Sequence, residues 1–157
     1  MKFSHPSLSY SPRIIGYALL ISTMLLMIMV PGCLISGSTT PPPDLTTPEW
    51  HLLSYRGGDG NDVPAMEDIT LRFNPDGTLQ GNSGCNQYFA AYSVEGELIM
   101  VKSLASTERY CTGPDGVMAQ EQEYLTRLSN TTRYHVSGDN LVLSYYDVEK
   151  LLVFVKK

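Results

Sequence analysis

Short alternating runs, each closed by a tight turn, constrain the fold of this chain more than any other feature. In Ile69–Phe73, apolar residues alternate with polar ones, which is the period of a strand that buries one face. Asn74-Pro75-Asp76-Gly77 follows, where proline presets the first central φ and glycine accepts a positive φ. The chain then returns through Thr78–Gly81, so this stretch predicts a β-hairpin.

The same combination of short runs and turn signals recurs on both sides of this hairpin. Glu95-Gly96, Gly138-Asp139-Asn140 and Asp147–Lys150 are the predicted turns. Strands linked by turns of this length pair in the antiparallel direction. The further predicted strands are Trp50–Tyr55, Tyr88–Val94, Leu98–Val101, Thr132–Ser137, Leu141–Tyr146 and Leu151–Val155.

One amphipathic helix interrupts the strands. Pro114 suits a first helical turn, Asp115 favours the positive end of the helix dipole, and the pattern ends near Ser129-Asn130. A single helix among short strands predicts a mostly β (α+β) class, a small antiparallel curved sheet or barrel-like body whose opening the helix covers. All but one of the residues on the buried stripe are apolar: Val117, Met118, Glu121, Tyr124, Leu125 and Leu128.

The N-terminus has the pattern of an export signal that ends in a lipidation site. Residues 1–13 carry basic side chains and no acidic one, and Ile14–Val30 is an uncharged, mostly apolar run of 17 residues. Gly32-Cys33 then resembles the lipobox of bacterial and archaeal lipoproteins, in which Cys33 would become the lipidated first residue. An uncleaved membrane helix is the alternative. Either one puts the rest of the chain at the cell membrane, outside the cytoplasm.

The predicted organisation has three parts. Residues 1–32 form the signal peptide, 33–48 a linker rich in Ser, Thr and Pro, and 49–157 a single folded domain. Pro41-Pro42-Pro43 favours an extended polyproline II conformation within the linker. Because the linker has few hydrophobic residues, it is not expected to join the core.

The charge balance disfavours two classes of partner. The chain has 11 basic and 16 acidic residues, a net charge of −5. Cleavage before Cys33 would remove Lys2 and Arg13 and lower the net charge to −7. Neither nucleic acid nor anionic headgroups attract such a surface. The expected partners are the membrane, through the N-terminal lipid or helix, and an unknown envelope protein or small ligand.

Several segments of the predicted domain resemble the META domain family. Gly77–Tyr88 resembles its "GCNxY" hallmark, and Leu104–Thr107 followed by Cys111 resembles its "LASTxxxC" segment. Glu121–Leu125 is similar to the family's helix, and Tyr134–Leu143 to its "Y…gdxLxL" hairpin. The family includes the bacterial heat-shock protein HslJ, and its members are often exported or lipid-anchored. The resemblance implies a link to stress responses and brings no established catalytic residue.

Cys85 and Cys111 are the only cysteines after Cys33. An even pair in an exported domain suggests a disulfide, and two buried thiols are the alternative. Zinc is not expected, because the sequence has no Cys-x-x-Cys or His-x-x-x-His pair and structural zinc takes four ligands. No metal and no cofactor is therefore predicted.

Two other groups of side chains could carry chemistry. His51 and His135 are each a possible general base, but neither lies in a nucleophile motif such as Gly-x-Ser-x-Gly, so imidazoles on the sheet surface are favoured. No catalytic residue is predicted. Four acidic residues around the first long loop could hold calcium weakly, although their spacing is not that of an EF-hand and a solvated loop is favoured: Asp59, Asp62, Glu67 and Asp68.

The densest family resemblance covers Gly81–Tyr88 and Leu104–Cys111, which a disulfide would bring together. Their polar, glycine-rich composition is typical of exposed loops that present backbone donors and acceptors, and also of a tight corner. We expect this face to act by contact. The candidate interaction residues are Asn82, Gly84, Asn86, Gln87, Tyr88, Ser106, Thr107 and Glu108.

Three functions compete at this stage. The leading hypothesis is a surface-tethered, non-enzymatic interaction or envelope-stress module, since an anchor and a linker precede a domain without a catalytic motif. A carrier that holds a small ligand in a barrel mouth is the second. The third is a hydrolase built on His51 or His135.

Overall fold

The computed structural model describes residues 40–146 and 148–157. The predicted signal peptide, the lipidation site at Cys33 and most of the linker lie outside these residues. Within them, no helix has both the length and the apolar character needed to cross a bilayer. Cleavage and lipidation at Cys33 therefore stay predictions.

Across the described residues, nine strands form one antiparallel sheet that curls on itself. The strand order is β2-β1-β3-β4-β5-β6-β7-β8-β9, and β9 also pairs with β1. The prediction of a curved, barrel-like antiparallel sheet is confirmed. The strands are β1 (Trp50–Arg56), β2 (Asp62–Pro64), β3 (Thr70–Phe73), β4 (Thr78–Asn82), β5 (Gln87–Glu95), β6 (Leu98–Ser106), β7 (Arg133–Ser137), β8 (Asn140–Tyr145) and β9 (Val148–Lys156).

Tight turns set the register of the predicted hairpins. Gly77 has a φ of +85°, a conformation that favours glycine, and it closes the turn between β3 and β4. Across β5 and β6, Glu95 pairs with Leu98 around a two-residue turn, and Ser137 pairs with Asn140 in the same way between β7 and β8. The hairpins predicted from these three turn signals are confirmed. The turn predicted over Asp147–Lys150 is wrong, because β9 already begins at Val148 and pairs there with Tyr145.

The ring is closed unevenly, and its weak seam lies between β6 and β7. Only one residue pair, Leu98 with Arg133, joins these strands in register. Two further backbone hydrogen bonds, from Ile99 N to Thr132 O and from Tyr134 N to Glu97 O, hold the tip of the β5–β6 hairpin against the start of β7. Helix α2 (Val117–Ser129) also packs against β6.

Side chains fill the interior of the barrel. Strand β5 alternates strictly between exposed and buried residues, and its inward positions pack with those of the other strands and with Tyr124 and Leu128 of α2. The largest fully buried side chains include Trp50, Phe73 and Tyr88. Among the described residues, side chains occupy the inward positions of the barrel, and this packing does not favour a carrier that uses the barrel mouth.

The domain begins earlier than the sequence indicates. A short helix, α1 (Pro43–Thr46), buries the Leu45 side chain completely in the core. The Trp50 indole N–H donates to Leu45 O at 3.0 Å, which ties this turn to β1. The expectation that the whole of residues 33–48 stays out of the core is therefore wrong at Leu45, because one leucine in a polar segment is enough to dock it.

Candidate functional site

A disulfide joins Cys85 and Cys111, with their Cα atoms 5.9 Å apart. This distance lies in the usual range for a disulfide, and the predicted bond is confirmed. It connects the turn between β4 and β5 to the segment that leads from β6 into α2. The two segments of densest family resemblance do meet at this point.

Glu121 of α2 is the centre of this corner. Its side chain is buried, and four hydrogen-bond donors surround its carboxylate. Oε2 accepts from Ser83 Oγ at 2.6 Å and from the backbone N–H groups of Cys85 and Asn86 at 3.2 and 2.8 Å. Oε1 accepts from Asn86 Nδ2 at 2.7 Å. The helix thus holds the Ser83–Asn86 turn through a single carboxylate.

Asn86 extends the network from Glu121 to the disulfide-linked segment. Its Oδ1 accepts from Thr107 Oγ1 at 2.6 Å and from the Arg109 N–H at 2.7 Å, and its Nδ2 also donates to Arg109 O at 3.0 Å. The Arg109 guanidinium donates to Cys85 O at 3.2 Å. The buried Asn86 amide therefore links α2, the Ser83–Asn86 turn and the segment that leads from β6 into α2.

The environment of Glu121 keeps it ionised. Burial raises the pKa of its carboxyl, but the hydrogen bonds from Ser83, Asn86 and Cys85 lower it by more, so the pKa lies below its ordinary value of 4.5. A carboxylate that is stabilised in this way holds structure and is poorly suited to accept a proton at neutral pH. The geometry indicates a structural role.

A second buried polar contact lies next to this corner. The hydroxyl groups of Tyr88 and Tyr124 are 2.6 Å apart, and Tyr88 donates to Thr70 O at 2.7 Å. Burial raises the pKa of both phenols well above the ordinary value of 10.0. Gly81 makes room for this contact, because a Cβ there would lie 1.9 Å from Thr70 O and 2.8 Å from the Tyr88 hydroxyl.

The predicted interaction face is only partly a surface. Gln87, Ser106, Thr107 and Glu108 are exposed, whereas Asn82 and Gly84 are half-buried. Asn86 and Tyr88 are buried and cannot contact a partner, so their assignment to the face is wrong. Their polar atoms are satisfied inside the domain, as buried polar groups must be. The corner interpretation explains this segment better than a pair of presenting loops.

The histidines do not form a nucleophile–base pair with any described residue. His51 Nδ1 lies 2.6 Å from Asp68 Oδ1, and its Nε2 lies 3.9 Å from Glu49 Oε2, so both ring nitrogens face carboxylates. The hydrogen bond with His51 lowers the pKa of Asp68. His135 is exposed on β7, opposite Val142. A hydrolase needs a hydroxyl or thiol within reach of its base, and neither imidazole has one in the described part of the chain.

The acidic residues of the first loop do not converge on one point. Asp62 pairs with Arg56 at 3.5 Å, and Asp68 contacts His51 and Lys157. Across residues 40–146 and 148–157, no three His, Cys, Asp or Glu side chains are arranged to hold a metal ion. The weak calcium site considered from the sequence has no support in this geometry.

Sequence reasoning missed the role of Glu121, although the sequence contains a signal for it. Glu121 is the one charged residue on the otherwise apolar stripe of the helix. An ionised side chain on a buried face requires buried donors nearby. Ser83 and Asn86 supply these donors. Both lie in the turn that the predicted disulfide places near the segment leading into the helix.

An apolar groove that the sequence does not reveal lies at the seam of the barrel. It has a volume of about 640 Å³ and opens between the tip of the β5–β6 hairpin, the end of α2 and the end of β8. We call it the seam groove. Its exposed large side chains are Leu98, Met100, Tyr145 and Tyr146.

These features define a class of small antiparallel barrels in which one helix packs beside the seam and anchors a disulfide-linked corner. The chain belongs to the META domain family, whose profile matches residues 43–157. The match begins at the first residue of α1, in agreement with the burial of Leu45. The family resemblance read from the sequence is confirmed.

Solved structures share this fold at low sequence identity. The NMR structure of a protein from Burkholderia xenovorans is 25% identical, with a TM-score of 0.57, and the match covers 76% of this chain and 89% of that one. A second NMR structure is 18% identical, with a TM-score of 0.55 and coverages of 73% and 93%. A crystal structure of a DUF4847 family protein from Bacteroides vulgatus ATCC 8482 is 13% identical, with a TM-score of 0.51 and coverages of 71% and 93%. No functionally curated protein matches the chain.

Proposed function

We propose that this META domain is a lipid-anchored binding module outside the cytoplasm, which serves an envelope interaction or stress response by contact and not by turnover. The seam groove is the observation that carries the proposal. Exposed apolar groups that line a concave surface are typical of sites that bind a partner. The polar corner around Glu121 is less suited to this task, because its groups are satisfied internally.

The open edge of β6 favours an extended peptide as the occupant. Ile99 N–H points away from β5 and donates to Thr132 O. Strand alternation puts the N–H and C=O of Val101 on the same edge, and no hydrogen bond between described residues reaches them. An added strand could pair there while its side chains contact Met100 and Tyr146. The partner we propose is an apolar, extended segment of another envelope protein.

The peptide proposal predicts that Met100→Glu weakens binding strongly. The probe is a synthetic peptide of alternating valine and threonine with lysines at its ends, titrated into the full-length chain in detergent. We expect saturable binding, and a loss of about tenfold or more in affinity on Met100→Glu, since a charge in the groove loses its hydration. Met66→Glu is the matched control, because Met66 and Met100 are both 52% exposed but Met66 lies outside the groove.

A second peptide tests the strand pairing itself. Proline in place of each threonine removes half of the backbone donors while keeping the apolar side chains, so we expect it to bind at least tenfold more weakly. Equal binding of both peptides, or equal loss with Met66→Glu, would contradict strand addition. Saturable binding of a fatty acid without binding of either peptide would instead support the small-ligand carrier.

The anchor is tested separately by intact-mass analysis of the membrane-bound form. We expect a mass that lacks residues 1–32 and carries two or more acyl chains, because one chain gives only marginal membrane attachment. Cys33→Ser should keep Met1 and carry no lipid. A wild-type protein that retains Met1 at its unmodified mass would refute lipidation and leave the uncleaved helix as the anchor.

A further inference from the structure

We infer that the outer face of β3, β4 and β5 carries a carbohydrate-binding site built on the Phe89 ring. A hollow of about 330 Å³ opens on this face, apart from the seam groove. Its lining is mostly polar and includes the Phe89 ring. This combination of one aromatic face and several hydrogen-bonding side chains suits a sugar ring.

Phe89 is held on the outside of the barrel by the register of the sheet. Strand β5 buries alternate residues, and Phe89 occupies an outward position with 61% of its surface exposed. Its neighbours across the strands are Gln80 on β4 and Ala105 on β6. The methyl group of Ala105 is too small to cover the ring, so the aromatic face is open to a ligand.

The polar groups beside Phe89 are available for hydrogen bonding. Arg72 and Gln80 face each other across β3 and β4, and Gln87 lies two residues before Phe89 on the same face. All three side chains are exposed, and none makes a hydrogen bond or ion pair with another described residue. A guanidinium offers donors only, and each carboxamide offers both donors and acceptors.

Four further residues complete the lining of the hollow: Glu49, Thr70, Gly81 and Tyr88. Among them, Glu49 supplies a carboxylate acceptor, in contrast to the Arg72 guanidinium. Acidic and basic groups therefore frame the hollow, and neither sign of charge dominates it.

These features select one class of ligand. A pyranose has an apolar C–H face that stacks on an aromatic ring and a rim of hydroxyl groups that both donate and accept hydrogen bonds. A fatty acyl chain would leave the polar walls of the hollow unsatisfied. A polyanion would meet Glu49 and an acidic domain. A neutral oligosaccharide fits the site, and its affinity is expected to be about millimolar, because each sugar hydroxyl exchanges bonds with water.

The test is calorimetric titration of the full-length chain in a phosphocholine detergent, whose headgroup contains no sugar. The probes are a β-1,4-linked tetramer of N-acetylglucosamine and maltotetraose. We expect at least one of them to bind saturably, and Phe89→Ala to weaken that binding on the order of tenfold. Tyr110→Ala is the matched control, since Tyr110 is an exposed aromatic residue outside the hollow, and it should leave the affinity within about twofold.

A second variant separates a built site from a bare aromatic surface. Gln80→Ala with Gln87→Ala keeps the ring and removes the amides, and it should also weaken the same saccharide severalfold while the thermal midpoint stays unchanged. Absence of binding by both probes up to their solubility limits would overturn the inference. So would an equal affinity of the Phe89→Ala and wild-type proteins. Neither result bears on peptide binding in the seam groove.

Discussion

Replacing Glu121 with alanine is expected to lower the free energy of unfolding by about 3–5 kcal/mol. The substitution removes the common acceptor of the Ser83 hydroxyl, two backbone N–H groups and the Asn86 amide. The backbone N–H groups of Cys85 and Asn86 would stay buried without a partner, because the disulfide at Cys85 holds the turn in place. The Ser83 hydroxyl and the Asn86 amide would keep only their second acceptors, Asn86 O and Arg109 O. A small domain has a total stability of about 5–15 kcal/mol, so this single change threatens the fold.

Urea unfolding of the two proteins measures this effect, and the helix supplies a matched control. Glu123 is two residues away and exposed, and its carboxylate pairs with Arg127 at 3.0 Å. Glu123→Ala should cost no more than about 0.5 kcal/mol. If the two glutamate variants unfold at the same urea concentration, Glu121 is not the tie between the helix and the turn.

The pH dependence of stability gives the same prediction a second readout. The pKa of Glu121 lies below 4.5 in the folded protein, so the unfolded chain binds its proton more readily. The stabilisation is therefore fully present above about pH 4.5 and is lost as the pH falls through the folded pKa. Glu121→Gln cannot titrate and should show a shallower loss in this window. Asp68, whose pKa is also lowered, remains in both proteins, so their difference isolates Glu121.

The sequence predicts those parts of the fold that depend on local chemistry. Alternation in Ile69–Phe73 and the turn that ends at Gly77 define the first hairpin because side-chain period and φ preference are local properties. The helix follows from its apolar stripe in the same way. The disulfide was predictable for a different reason, because Cys85 and Cys111 are the only two cysteines that follow Cys33 in the sequence.

Other features depend on long-range packing, and the sequence does not reveal them. Strand β2 (Asp62–Pro64) has only three residues and forms by pairing with the end of β1, so it has no periodicity to detect. Leu45 enters the core from a proline-rich segment because the Trp50 indole N–H donates a hydrogen bond to Leu45 O. The seam groove exists because β6 and β7 diverge after one residue pair, a consequence of how the ring closes.

The candidate face shows where composition misleads. Asn86 and Tyr88 lie in a polar, glycine-rich stretch, which is typical of both an exposed loop and a buried corner. A buried corner forms only where buried hydrogen-bond partners are available. Here those partners come from α2 and from Thr70, which are far away in the sequence. Gln87, between the two buried residues, points outward and lines the hollow beside Phe89.

Removing the disulfide is expected to have the second large effect. Cys85 and Cys111 are 26 residues apart, and cross-linking a loop of this length stabilises a protein by about 3.5 kcal/mol in the chain-entropy account. The double variant Cys85→Ala, Cys111→Ala should lose about that amount in urea unfolding without reductant. The wild type in reductant should match it, and the double variant should not respond to reductant at all.

The loss should also be uneven along the segment between β6 and α2. Thr107 and Arg109 remain bonded to Asn86 without the disulfide, whereas Tyr110–Gly116 loses its covalent tie to the corner. Amide hydrogen exchange should therefore rise most in Tyr110–Gly116 and least at Arg109, whose N–H donates to Asn86 Oδ1. Uniform acceleration across the segment would mean that the disulfide, and not the Asn86 network, holds the whole corner. Because Glu121 anchors Asn86, the alanine variant of Glu121 should reverse this pattern and release Arg109 while the disulfide still restrains Cys111.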